Sequence, residues 1–282
     1  MPKQSADNYL AKEEWRERRS SHRLVVLLFA ITALSTSVVH IYFNSFGLIS
    51  ELRFAAIHFG TFGFLCALVY PLREKNADQT PWILFDVMIG FVALFCGLYF
   101  LFNDVAYWDR GGKMTDMDWW VAFTSVAVAL ELLRRTMGIF IPILILIALS
   151  YAAFWGEHID GIFRFPGISF EELLARSYFV DLGLFGDIAQ ISMTYVFMFV
   201  MFGSFLVKSG AAEFIIDLSR AMARRAIGGS GMVAVMGSAL MGSISGAAVA
   251  NIVTTGVVTI PLMKKSGYKP TFAAGVETAA ST

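Results

Sequence analysis

Residues 232–263 read MVAVMGSALMGSISGAAVANIVTTGVVTIPLM. As one straight helix this stretch would be about 48 Å long, which exceeds one membrane crossing, whereas two full crossings need about 40 residues. Pairs of basic residues flank it on both sides: Arg224 and Arg225 before it, Lys264 and Lys265 after it. Because basic loops favour the cytoplasmic side, the chain is expected to enter the membrane and turn back. The sequence predicts a re-entrant helical hairpin at about 230–263.

The predicted turn of this hairpin runs from Ser243 to Ala247, with helical limbs of about 13 and 16 residues on either side. Lipid cannot satisfy backbone N–H and C=O groups, so non-helical backbone at this depth must be buried in protein or line a cavity. Broken helices of this kind bind substrates and coupling ions in secondary transporters. Asn251, Thr254 and Thr255 place polar side chains directly after the turn, which favours a binding site.

A stripe of small residues in the same stretch supports a second interpretation. The stripe recurs every four residues, at Ala234, Ser238, Gly242, Gly246 and Ala250. Such stripes are typical of closely packed helices, and the two limbs of a hairpin must themselves pack closely. The spacing alone leaves both packing and ligand binding open.

The composition excludes several classes of protein. The 282 residues are 57% hydrophobic and 16% charged, with a mean hydropathy of +0.64, whereas a soluble domain carries about 25% charged residues. Basic and acidic residues balance at 22 each, so a nucleic-acid binder with a basic surface is not expected. Both cysteines lie in apolar runs, which excludes a disulfide framework. The sequence predicts an all-α polytopic membrane protein.

Six apolar runs are long enough to predict about six transmembrane helices. They lie at about 24–43, 54–70, 82–102, 119–133, 137–155 and 188–207. With the N-terminus in the cytoplasm, seventeen of the 22 Lys and Arg residues fall on the cytoplasmic side. This distribution follows the positive-inside rule and predicts the topology.

Two acidic residues inside these runs need partners, because a charge in the bilayer is costly. Asp86 lies one turn inside its predicted span and is expected to pair with a neighbouring helix. Glu131 lies three and four residues before Arg134 and Arg135, a spacing that predicts an intrahelical ion pair. We expect both acidic residues to have structural roles.

Two stretches predict short amphipathic helices instead of spans. Residues 169–179 open with Ser169 and Glu172 at the spacing of a capping box, which predicts a surface helix on the outer side. Residues 210–225 carry apolar side chains at helical spacing and end in basic residues. This pattern is typical of a helix at the cytoplasmic interface.

Several motifs together resemble the large membrane subunit of the tripartite ATP-independent periplasmic (TRAP) transporters. They are SALMGSISG at 238–246, VANIVTTG at 249–256, TIPLM at 259–263, FLVKSG at 205–210 and FAAGVETAAST at 272–282. The resemblance is dense over about 188–282. The last motif ends in Ala-Ala-Ser-Thr, which resembles the start of a broken helix. The fold that this implies is six spans, a re-entrant hairpin and the beginning of that broken helix.

The resemblance also implies a division of the chain into three regions. Residues 131–138 read ELLRRTMG and resemble the junction of fused proteins in which a four-helix small subunit precedes the large one. Residues 1–23 would form a cytoplasmic arm, 24–135 a small-subunit-like region and 136–282 the N-terminal part of the large subunit. The family's second inverted repeat would follow position 282, so the chain is expected to be the N-terminal portion of a longer permease.

The family implies a permease that imports organic acids by an elevator-type movement. A sodium gradient drives it, and a soluble periplasmic binding protein delivers the substrate, here by resemblance one of the TAXI type. Sodium would be the coupling ion, and no other cofactor is implied. The expected location is the inner membrane of a bacterium or archaeon, with the N-terminus in the cytoplasm.

The resemblance assigns residues to both kinds of ligand. Those for sodium are Ser243, Ser245, Gly246, Ser281 and Thr282. Those for the substrate are Ser245, Ala247, Asn251, Thr254 and Thr255. Ala247 stands where the family commonly has a further serine, so one hydroxyl ligand is absent here.

Two other classes compete with a transporter. An intramembrane serine hydrolase would need Gly-x-Ser-Gly before a histidine on a later helix. The sequence has Ser-Ile-Ser-Gly at 243–246 and all four histidines come earlier, so no enzyme is expected. A membrane scaffold that transports nothing is the remaining alternative.

Overall fold

The computed structural model describes residues 22–73, 79–223, 228–245 and 248–282, and the ordered elements in these ranges are helical. The α-helices are α1 (Arg23–Ser45), α2 (Glu51–Val69), α3 (Thr80–Asp109), α4 (Asp116–Met137), α5 (Phe140–Ser150), α6 (Phe170–Tyr178), α7 (Asp187–Ile191), α8 (Phe197–Lys208), α9 (Ala211–Ala223), α10 (Ser230–Ser245), α11 (Ala248–Lys265) and α12 (Pro270–Ala280). The chain forms two compact units, Met1–Gln190 and Ile191–Thr282. The prediction of an all-α protein is confirmed.

Short stretches of other helix types extend two of these helices. A π-helical turn at Tyr151–Trp155 and a 3₁₀ turn at Gly156–His158 continue α5. A second π-helical turn, Ser192–Val196, joins α7 to α8. A further 3₁₀ turn covers Gly161–Phe163.

Five helical stretches in the described part of the chain are long and apolar enough to cross a membrane. They are Arg23–Ser45, Glu51–Val69, Thr80–Asp109, Phe140–His158 and Asp187–Phe205. The sixth predicted run, 119–133, lies in α4, which is long enough at 22 residues but is not one of the five. Asp118, Glu131 and the two arginines that follow lower its apolar character. The chain is a multi-pass membrane protein.

In the first unit, α2 and α3 pack most closely where glycines face each other. An ideal Cβ atom on Gly97 would lie 2.3 Å from the carbonyl oxygen of Ala56 and 3.0 Å from the Cα atom of Gly60. No side chain fits at that separation, so glycine is required there. Small residues allow the backbones of membrane helices to approach and gain dispersion energy.

A buried ion pair connects α3 and α4 within the same unit. The guanidinium Nη1 atom of Arg135 lies 2.6 Å from Asp86 Oδ1, and both side chains are fully buried. Arg135 also donates to the carbonyl oxygen of Tyr70 and to Glu131, which pairs with Arg134 as well. Both expectations are confirmed: Asp86 pairs with a neighbouring helix and Glu131 forms an intrahelical ion pair.

Another buried carboxylate, Asp118, caps the start of α4. Asp118 and Thr115 form a reciprocal capping box, and Asp118 accepts hydrogen bonds from Tyr99 Oη and Arg110 Nη2 at 2.7 and 2.6 Å. Burial acts to raise the pKa of this carboxyl. The hydrogen bonds from Thr115 and Tyr99 and the charge of Arg110 outweigh burial and hold the pKa below its usual value.

The two predicted amphipathic helices are present. The hydroxyl of Ser169 accepts a hydrogen bond from the main-chain N–H of Glu172 and begins α6. Helix α9 covers Ala211–Ala223, while residues 224–225 lie outside the described part of the chain. The sequence pattern located both helices because each carries its apolar residues on one face.

In the second unit, α10 and α11 pack against each other in antiparallel directions. Ser238 meets Thr255 nearer the middle of the pair, and Gly242 meets Asn251 nearer the connection. The two helices are longer than the predicted limbs, with 16 and 18 residues. Helix α10 runs through Ser245, so Ser243 and Ser245 are helical and not part of a turn. Residues 246–247 lie outside the described part of the chain.

Candidate functional site

A single buried carboxylate lies at the junction of α10, α11 and α12. Glu277, on the last turn of α12, has 0% of its surface exposed. Its oxygens contact hydroxyl groups and, among the described residues, no Lys, Arg or His side chain. We name the Glu277 cluster after it; its members are Ser238 on α10, Thr255 and Thr259 on α11, and Glu277 and Ser281 on or after α12.

The hydroxyls bind the two carboxylate oxygens separately. Ser238 Oγ donates to Glu277 Oε1 at 2.8 Å, and Thr255 Oγ1 donates to the same oxygen. Thr259 Oγ1 donates to Oε2. Ser281 Oγ lies 3.4 Å from both Glu277 Oε1 and Ser238 Oγ, and only 7% of this residue is exposed.

Helical spacing explains how the cluster assembles. Thr255 and Thr259 are four residues apart on α11 and lie on one helix face, and Ser281, which caps the end of α12, follows Glu277 at the same spacing. Gly256 allows the two helices to approach, because an ideal Cβ atom there would lie 3.3 Å from Glu277 Cγ. A larger residue at this position would push the carboxylate away from the hydroxyls.

Asn251 lies one turn before Thr255 and is almost completely buried, with 1% of its surface exposed. Its Nδ2 atom donates to the carbonyl oxygen of Ser238 at 2.9 Å. Gly242 leaves room for this contact, since an ideal Cβ atom there would lie 3.1 Å from Asn251 Nδ2. Among the residues that the structure describes, the amide oxygen Oδ1 has no hydrogen-bond partner. Buried polar atoms are normally paired, so this oxygen is available to a ligand.

The structure brings together three of the residues that the resemblance assigns to ligands. Asn251, Thr255 and Ser281 lie in or beside the Glu277 cluster. Ser243 and Thr282 are exposed, and their hydroxyls donate to the carbonyl oxygens of Leu240 and Thr278 within their own helical turns. The remaining predictions fall outside what the structure describes: Gly246 and Ala247 entirely, and Ser245 and Thr254 in their side chains.

Three members of the cluster have no predicted ligand role in the sequence patterns. In the sequence, Ser238 belongs only to the small-residue stripe, and neither Thr259 nor Glu277 is assigned to a ligand. The available signal is Glu277 itself, the one charged side chain between Pro270 and Thr282. An ionisable residue in an otherwise apolar membrane segment is by default a candidate functional residue.

The ligand chemistry of the cluster favours a hard cation. Carboxylate, hydroxyl and amide oxygens are present, and no described residues form a group of three His, Cys, Asp or Glu side chains that could hold a metal ion of another kind. The small-residue stripe serves packing at the same time, since Ala234 and Ser238 are fully buried. Packing and polar side chains therefore coexist in one helix interface.

A comparison with protein families identifies the family of this chain. The family described as "Tripartite ATP-independent periplasmic transporter, DctM component" matches residues 124–282, which is more than half of the chain and includes the whole Glu277 cluster. The chain belongs to the DctM family. It is therefore a member of a transporter permease family and not of an enzyme family.

Curated DctM-family relatives match a limited part of the chain. The C4-dicarboxylate TRAP transporter large permease protein DctM of Rhodobacter capsulatus is 34% identical over 99 residues, which cover 35% of this chain and 22% of that protein. The 2,3-diketo-L-gulonate TRAP transporter large permease protein YiaN of Escherichia coli is 31% identical over 87 residues, covering 31% and 20%. The chain thus spans about a fifth of the length of these relatives. No solved structure matches it.

Proposed function

We propose that the chain forms part of the permease of a sodium-gradient-driven, binding-protein-dependent transporter that imports organic acids. The observation that carries this proposal is the Glu277 cluster with the unpartnered amide oxygen of Asn251 beside it. These groups lie where two antiparallel helices of a multi-pass DctM-family protein meet a third. Transporters bind substrate and coupling ions at such helix junctions within the membrane.

The organic acid would bind at the first turn of α11. This helix begins at Ala248, and the free N–H groups and positive dipole end of a helix attract anions. Asn251 lies within this first turn, and the second N–H of its Nδ2 group, beyond the one that bonds the carbonyl oxygen of Ser238, would donate to a substrate carboxylate. The names of the relatives from R. capsulatus and E. coli refer to transport of a C4-dicarboxylate and of 2,3-diketo-L-gulonate, which are compounds of this class.

The α10–α11 pair is proposed to be the re-entrant hairpin and α12 the first half of a broken helix. Helix α4 would provide the sixth span, and the N-terminus would lie in the cytoplasm of a bacterial or archaeal cell. Residues 24–135 would serve as a fused small subunit that supports the moving part during elevator-type transport. A periplasmic binding protein of the TAXI type would deliver the substrate.

Transport is tested by reconstituting the full-length permease in liposomes with its binding protein and titrating sodium during uptake of radiolabelled organic acids. Asn251→Ala should lower the apparent substrate affinity without lowering protein abundance. Ser245→Ala should weaken the sodium dependence, and Gly246→Val should abolish uptake by adding bulk at the helix connection. Uptake that is independent of both sodium and the binding protein would refute the proposal.

The topology is tested with single cysteines in a background that lacks Cys66 and Cys96. Cysteines at positions 110 and 265 should react oppositely with a membrane-impermeant thiol reagent, because the proposal places them on opposite sides. Equal labelling from outside at both positions would exclude the re-entrant arrangement. Cross-links that lock the spans within 24–133 should leave uptake largely intact if this region is a support.

A further inference from the structure

The charge of Glu277 requires compensation. An ionised carboxylate that is fully buried without a cationic partner is very costly. Helices α10 and α11 carry two titratable side chains, Lys264 and Lys265, and both are exposed at the end of α11, beyond Thr259. On α12, Glu277 is the one titratable side chain. On the packed helices α8 and α9, Lys208 is exposed and Arg220 is exposed and pairs with Asp217, so among the described residues no side chain supplies the countercharge and a bound ion can.

The hydroxyls of the cluster can present oxygen lone pairs to a cation. Thr255 Oγ1 lies 2.8 Å from the carbonyl oxygen of Asn251, and Thr259 Oγ1 lies 3.0 Å from that of Thr255. Each threonine can turn its single proton toward the carbonyl four residues earlier, as threonines in helices commonly do. Its oxygen then becomes a ligand while no hydrogen-bond donor is left without an acceptor.

The orphaned oxygen of Asn251 distinguishes a metal cation from a proton. A proton on Glu277 would neutralise the carboxyl group, but it would leave Asn251 Oδ1 buried without a partner among the described residues. A metal cation coordinated by side chains of α10 and α11, such as Ser238 and Thr255, would give this amide oxygen a partner. In addition, α12 ends at Ala280, and the negative end of a helix dipole attracts cations.

We propose that the Glu277 cluster is a sodium site in which Glu277 supplies the single negative charge. The oxygen ligands are the side chains of Ser238, Asn251, Thr255, Thr259, Glu277 and Ser281. One carboxylate matches one monovalent cation, whereas a divalent ion would leave a buried excess charge. The site shares only Ser281 with the sodium residues that the family resemblance assigns. Its part in driving transport rests on the proposed function, but its affinity for sodium does not.

Sodium binding is measured by the thermal unfolding of the purified full-length permease in sodium chloride and in choline chloride of equal ionic strength. A ligand that binds the folded protein raises its unfolding temperature. The wild-type protein should show a saturable increase with sodium, and Glu277→Gln, which keeps the shape without the charge, should lose it. Thr259→Val should shift the sodium midpoint by about tenfold, as expected for one hydroxyl ligand.

Thr278→Val is the matched control, because this hydroxyl is also on α12 but is exposed and donates to Ala274 within its own helix. It should keep the wild-type sodium response. If Glu277→Gln does not fold, Thr259→Val and Ser238→Ala decide the question by their sodium midpoints.

Three results would overturn the sodium site. They are a wild-type midpoint in Glu277→Gln or Thr259→Val, an absence of any sodium response in the wild type, and stabilisation by protons with no effect of sodium. Uptake assays separate this proposal from the transport function. If Glu277→Gln and Thr259→Val both keep sodium-driven uptake with the wild-type sodium midpoint, only the sodium site is refuted. Sodium binding that depends on Glu277, without sodium-driven uptake, would refute only the proposed coupling.

Discussion

Asp86 in the first unit and Glu277 in the second are both fully buried carboxylates, yet their surroundings differ completely. Asp86 forms an ion pair with Arg135, whose guanidinium group is also fully buried. Glu277 is surrounded by hydroxyl groups from three helices. The first carboxylate has a permanent countercharge from its own chain, whereas the second has none among the described residues and can acquire one from a bound ion.

This difference separates a structural from an exchangeable polar site. The ion pair of Asp86 is held within the protein by further hydrogen bonds from Arg135 to Tyr70 and Glu131, while the Nη2 atom of Arg135 has no hydrogen-bond partner among the described residues. Hydroxyl groups can donate or accept by rotating about one bond, so the shell of Glu277 adapts to a ligand at little cost. We therefore expect substitutions in the first unit to affect stability, and substitutions around Glu277 to affect ligand binding.

The largest expected effect is from Arg135→Leu. This change leaves Asp86 buried without its cation and should lower the free energy of unfolding by about 3–5 kcal/mol. Unfolding of the purified protein in detergent measures the effect. Arg134→Leu is the control: Arg134 pairs with Glu131 at 35% side-chain exposure, and its loss should cost less than about 1 kcal/mol. Equal losses in both variants would contradict the structural role of the buried pair.

Glu277→Ala should have a smaller effect on stability, about 1–3 kcal/mol in the absence of sodium, because the hydroxyls lose a shared acceptor. Glu277→Gln should cost less than about 1 kcal/mol, since an amide oxygen can still accept from Ser238 or Thr255. The same unfolding experiment measures both variants. A loss from Glu277→Gln as large as that from Arg135→Leu would mean that the two carboxylates have the same role.

Gly256→Ala tests the close approach between α11 and α12. The added Cβ atom would lie 3.3 Å from Glu277 Cγ, and we expect a loss of about 1 kcal/mol together with weaker stabilisation by sodium. Gly275→Ala is the control on α12, because an ideal Cβ atom there meets nothing within 4 Å. That substitution should be neutral or stabilising, since alanine favours the helix. Weakened sodium stabilisation in Gly275→Ala as well would argue against a local effect at Glu277.

The smallest effect is expected at acidic pH, from Asp118. Its pKa in the folded protein lies below the usual 3.8, so its contribution to stability is present above that pH. The contribution is lost as the pH falls from 3.8 through the folded-state pKa. Unfolding measured as a function of pH should therefore show a decrease in this range that is reduced in Asp118→Asn. An identical decrease in that variant would assign the acid sensitivity to other groups.

The sequence was most informative where a local pattern decides the structure. The spacing of Glu131, Arg134 and Arg135 predicted their ion pairs, and the capping pattern at Ser169 located α6. It was less informative at Ser243 and Ser245, which were expected in a turn but continue α10. Serine and glycine allow a turn without enforcing one, so packing against α11 can extend the helix.

The sequence by itself determined that the protein is a helical multi-pass membrane protein, because the length and apolar character of its segments depend on adjacent residues alone. Its motifs also indicated the family, since each motif is a run of adjacent residues. Only the tertiary structure brought Ser238 of α10 and Thr255 and Thr259 of α11 to the carboxylate of Glu277. These contacts join residues up to 39 positions apart on three helices. They depend on how helix faces pack, which no local spacing specifies.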